Sequence, residues 1–156
     1  MGKEFDRLFE ELEQSVIEDM KELYSEKTID HFLNPKNLGA IPDPDGFGKL
    51  TGACGDTMEI CLKVRDGRVT GVSFWTDGCG PSIASGSVVA ELAEGKSVLE
   101  AQKITQQDIL DALGGLPEES LHCALLATDT LKEAIKDYWR SRENPGKELT
   151  KDGEEC

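Results

Sequence analysis

Met58, Ile60, Leu62 and Val64 alternate with Glu59, Cys61, Lys63 and Arg65, and Asp66-Gly67 follows at once. A period of two gives a strand one buried face and one wet face, and an aspartate–glycine pair takes up the backbone angles of a tight hairpin. The chain must therefore double back, with Arg68 to Thr76 as the returning strand and Val72 and Phe74 on one face of it. Gly46 to Thr51 is placed to supply a third antiparallel strand, which makes a small meander.

Past Asp77-Gly78-Cys79-Gly80 the period changes. Pro81 suits the first turn of a helix, Ile83 to Ala93 is small and apolar, and Gly95 stops it. Phe5, Leu8, Phe9, Leu12, Val16, Met20 and Leu23 recur at helical spacing with acids opposite them, an amphipathic helix expected to pack on the domain itself or to form a homodimer contact, self-packing being preferred. A short helix is expected from Ser25 to Leu33, ended by Asn34-Pro35 and a loop through Pro42-Asp43-Pro44-Asp45-Gly46. Leu116-Pro117 precedes a last long helix with Leu131, Ala134, Ile135 and Tyr138 in a stripe, and from Ser141 onward Asn-Pro-Gly and mixed charges predict a frayed tail. No internal repeat is present, and 156 residues with 38% apolar content support one core. The division is a helical extension over 1–23, a domain over 24–140 and a flexible tail over 141–156.

Lysine and arginine number 17 against 31 aspartate and glutamate, a net charge of −14. That balance lacks the phosphate-neutralising term of a nucleic-acid binder and is repelled by anionic membranes. The amino terminus has no uninterrupted apolar run, so neither a secretory signal nor a membrane span is read there and a cytoplasmic location is expected. In that compartment five cysteines, an odd number, read as metal ligands or reactive thiols rather than a disulfide framework.

Three of the five lie at the edges of elements: Cys54 in the loop before the first long strand, Cys79 at a helix start, Cys123 near the start of the last helix. A helix amino terminus carries partial positive charge that favours thiolate, which suits Cys79 and, by its place, Cys123. Asp56 and His122 can each add a fourth ligand. Three soft sulfurs with one oxygen or nitrogen suit Zn²⁺ or an iron–sulfur centre, not Mg²⁺ or Ca²⁺. No Cys-x-x-Cys pair is present, so the residues alone leave a metal site and buried structural thiols both open. Cys61 on its strand and Cys156 at the end of the polar tail are expected away from any such site. His31 is read as making a local hydrogen bond, and Trp75 and Trp139 as core or partner surface. A cysteine hydrolase using Cys123 and His122 is disfavoured, because adjacent helical residues point about 100° apart.

Four motifs in order, Asp30-His31-Phe32-Leu33-Asn34-Pro35-Lys36-Asn37-Leu38-Gly39, Cys54-Gly55-Asp56, Gly78-Cys79-Gly80-Pro81-Ser82-Ile83-Ala84-Ser85 and Leu121-His122-Cys123, resemble the IscU/NifU amino-terminal family across Tyr24 to Trp139. The resemblance implies an α+β domain, a three-stranded antiparallel sheet backed by helices, with Cys54, Asp56, Cys79, His122 and Cys123 as the site. It implies a non-enzymatic scaffold holding iron and a [2Fe-2S] cluster, with Zn²⁺ in the cluster-free form. The implied partners are a cysteine desulfurase, which passes sulfur to Cys123, and apo iron–sulfur acceptor proteins. The alternative is a zinc-bound sulfurtransferase that activates the desulfurase; the long insertion marking that branch is absent between Cys79 and Cys123. Three departures stand out: Leu116-Pro117-Glu118-Glu119-Ser120 replaces the chaperone-recognition motif Leu-Pro-Pro-Val-Lys, Asp77 replaces an aromatic and brings an extra carboxylate to the cluster edge, and the helix before Tyr24 has no counterpart in short members.

Overall fold

The computed structural model describes residues 2–53, 55–78 and 80–143. Asp66 and Gly67 both take positive φ, +53° and +75°, and turn β2 (Thr57–Arg65) into β3 (Arg68–Thr76). That pair of left-handed residues matches the right-handed twist of the flanking strands, as the sequence anticipates. β1 (Gly46–Thr51) pairs antiparallel with the other edge of β2, giving the order β1-β2-β3. Gly48 faces Ile60 in that register and Cys61 faces Ser73.

Met58, Ile60, Leu62 and Phe74 turn to the helical side of the sheet and are fully buried. Against them lie α3 (Gly80–Ala93), α5 (Gln106–Leu113) and α6 (Leu121–Glu143), whose Val88, Val89, Ile109, Leu113 and Leu131 complete one core. Fully burying side chains of this size contributes about 1.5–3 kcal/mol each. β1 sits unusually close to α6: a methyl group at Gly48 would lie 2.5 Å from both the Ala134 amide nitrogen and the Thr130 carbonyl oxygen. The helix can lie on the strand there because neither Gly46 nor Gly48 has a side chain.

α4 (Val98–Ala101) and α5 occupy a stretch to which the sequence reading assigns no element. Both are short, but α5 is locally well specified. The Thr105 hydroxyl accepts from the Asp108 amide, the Asp108 carboxylate accepts from the Thr105 amide, and Gly114 closes the helix with φ +76°. α6 also runs on to Glu143, past the expected fraying at Ser141; residues 144–156, Cys156 among them, lie outside the described residues.

α1 (Gly2–Leu23) is a helix, as its spacing predicts, and it meets the domain along α2 (Glu26–Leu33) but leaves most of its apolar face uncovered. Its principal neighbour is this second helix, and Phe5 and Leu12 remain 69% and 63% exposed. The core is closed by α3, α5 and α6, and among the described residues none of α1 is part of it. Among the described residues no helix is long and apolar enough to cross a membrane.

Candidate functional site

Four segments meet at one end of the sheet. The loop before β2 is folded back by bonds from the Gly52 amide to the Asp56 carbonyl and from the Gly55 amide to the Gly52 carbonyl, at 2.8 and 3.0 Å, with Gly55 at φ +91°. This turn delivers Asp56 beside the end of β3. There Asp77 accepts from the Thr57 amide through Oδ1 at 2.8 Å, and the Thr76 hydroxyl donates to the Thr57 carbonyl at 2.7 Å. The extra carboxylate expected at the cluster edge thus has one oxygen engaged in tying β2 to β3.

Ser82, in the first turn of α3 and fully buried, joins the segments. Its Oγ lies 3.1 Å from Asp56 Oδ2 and 3.4 Å from Cys123 Sγ. A hydroxyl has one proton and two lone pairs, so Ser82 donates to the carboxylate or the sulfur in turn. Gly78 is the floor of this arrangement: a methyl group there would come within 2.6 Å of Ser82 Oγ and 2.8 Å of Asp56 Oδ2. Ser82 and Asp56 can come this close beside the loop because position 78 is glycine.

Cys123 enters from the first turn of α6, whose start is set by Pro117 and a 3₁₀ turn over Glu118–Ser120. Unsatisfied amides at such a terminus give it partial positive charge. Its side chain is 1% exposed. His122 Nε2 lies 3.6 Å from Cys123 Sγ, within reach although adjacent helical residues diverge by about 100°.

Asp56, His122 and Cys123, three of the five expected ligands, are thus brought to one end of the molecule. Cys54 and Cys79 lie outside the described residues, although Gly55, Gly78 and Gly80 beside them are part of this end. Among the described residues alone, no three histidine, cysteine, aspartate or glutamate side chains are close enough together to hold a metal ion. Ser82 is the residue whose role the sequence does not disclose. It stands within a quoted motif, yet its partners are 26 and 41 positions away.

The remaining residues singled out from the sequence fall elsewhere. His31 Nδ1 is 2.8 Å from Ser87 Oγ, which also accepts from the Lys36 amide, so it makes a hydrogen bond as expected, but one that fastens α2 to α3 across 56 positions and is not local. Cys61 is buried on the face of β2 opposite Ile60. Trp75 and Trp139 are partly exposed, as surface and not core.

Residues 23–145 match the NifU-like N terminal domain family. The chain is 48% identical over 119 residues to the iron–sulfur cluster assembly scaffold protein IscU 1 of Archaeoglobus fulgidus, covering 76% of this chain and 78% of that one. It is 46% identical over 125 residues to the scaffold protein IscU of Escherichia coli K12, covering 77% and 97%. The crystal structure of a nitrogen-fixing NifU-like protein (N-terminal) from Brucella abortus shares the fold, with a TM-score of 0.59 at 23% identity over 78% of this chain and 97% of that one. With its motifs in order and its α+β fold the same, the chain belongs to the IscU/NifU amino-terminal domain family.

Proposed function

We propose that this protein is a scaffold on which an iron–sulfur cluster of the [2Fe-2S] type is built and from which it is released. The observation that carries the reading is the convergence of Asp56, Ser82 and Cys123 from three separate segments, at the end of the fold where the Cys54 and Cys79 motifs also run. The names of the relatives are consistent with it. The cluster is cargo, so the site has to hold it and also let go. Three thiolates supply strong soft ligands, and a carboxylate at Asp56 is the weaker one that opens first.

Sulfur arrives as a persulfide on a cysteine desulfurase. The Cys123 thiolate attacks the terminal sulfur, the desulfurase cysteine leaves as thiolate, and Cys123 carries the persulfide; an external two-electron donor then reduces it to sulfide. His122, 3.6 Å from the sulfur, is placed to take the thiol proton.

Anaerobic reconstitution with iron, cysteine and a desulfurase, read by visible and Mössbauer spectra, tests this. Cys54→Ser, Cys79→Ser and Cys123→Ser should each abolish a stable cluster, since a hydroxyl is a poor ligand for iron in place of thiolate. Asp56→Ala should hold its cluster longer against an apo-ferredoxin. A colourless protein that takes up Zn²⁺ and no iron would give the site to a zinc-bound sulfurtransferase instead.

A further inference from the structure

Phe5, Leu8, Phe9, Leu12, Val16 and Leu23 form a continuous apolar face on α1, all at least half exposed. Where α1 meets α2, Leu12, Val16, Met20, Phe32 and Leu33 line an open groove of about 430 Å³. An apolar face of this extent on water is characteristic of an interaction surface. Its borders carry the information about what fits.

Helix α1 has three basic side chains and eight acidic ones, a balance of −5. At about 100° per residue, Glu4 and Glu22 run along one border of the face, Asp6 and Glu13 along the other, and Asp19 falls just inside the first border. Lys3, Arg7 and Lys21 all fall on the back of the helix. Two copies laid face to face, parallel or antiparallel, set acidic border against acidic border, which disfavours self-association. Anionic lipid headgroups are repelled in the same way.

We propose that α1 is a docking helix for a partner protein that presents an apolar groove bordered by lysine and arginine side chains. The helix lays its face into the groove, and its acidic borders pair with the basic rim.

The probes are two synthetic helical peptides with the same leucine stripe, one with lysine borders and one with glutamate borders, titrated against the full chain by fluorescence anisotropy. The lysine peptide should bind at least ten-fold more tightly, and more weakly as salt rises. Leu12→Glu with Val16→Glu should weaken it at least ten-fold although it adds negative charge, which separates docking from simple attraction to an acidic protein. Glu4→Lys with Glu13→Lys and Glu22→Lys should weaken it equally with the apolar face intact. Circular dichroism and cluster assembly should be unchanged in both variants, which keeps this outcome apart from failure of the scaffold reading. Binding that survives Leu12→Glu with Val16→Glu overturns the proposal. So does a dimer in sedimentation, or pelleting with phosphatidylglycerol vesicles, that this variant abolishes.

Discussion

Ser82 holds two prospective ligands with one hydroxyl, and its partners differ in what they lose without it. In Ser82→Ala the Asp56 carboxylate keeps access to water, whereas Cys123, 1% exposed, loses a contact that holds it inside. Removing such a bond costs about 1–1.5 kcal/mol, which corresponds to roughly a ten-fold change in the population of an outward-turned sulfur. Alkylation of Cys123 followed by peptide mass spectrometry should accordingly run about ten times faster in Ser82→Ala; an unchanged rate would mean that the hydroxyl does not restrain the sulfur. Nothing in the local sequence marks Ser82 for this task, because the contact exists only once α3 and α6 have packed. Cys123 and Asp56, by contrast, are legible from their residue types and from the motifs around them.

The strands illustrate how far local pattern reaches at the scale of an element. Alternation and one Asp-Gly pair are enough to place β2, β3 and their turn, since both signals act between near neighbours. The same reading passes over α5, although its Thr105 and Asp108 make a reciprocal capping box, because four of its eight residues are charged or polar and the few apolar ones give little period to recognise. It also cannot see why position 48 is glycine, which depends on a helix more than 80 residues later. Gly48→Ala should therefore cost about 3 kcal/mol, the upper end for overpacking, since the atoms in the way are α6 backbone. Gly71→Ala in β3, at the other edge of the sheet, meets nothing closer than 3.6 Å and should be near neutral. Urea midpoints of the two variants provide the comparison, and equal midpoints would show that β1 and α6 can part at little cost.

Across the whole molecule, the sequence points to the right family and fold, while α1 meets less of the domain than its stripe suggests. An apolar stripe says that a helix has something to bury against and is silent about whether that surface belongs to the same chain. The structure places α1 beside α2 with most of its apolar face still in water. A 22-residue helix held by so little tertiary contact is close to the limit of what is stable in water by itself. The protein should then melt in two stages: ellipticity at 222 nm falls first as α1 unwinds, while near-ultraviolet signals of the core persist to a higher temperature. Coincident transitions would show α1 to be part of the cooperative unit. If the stages separate, calorimetric and van't Hoff enthalpies will disagree even for pure protein, and amides of residues 2–23 will exchange with solvent deuterium long before those of β2.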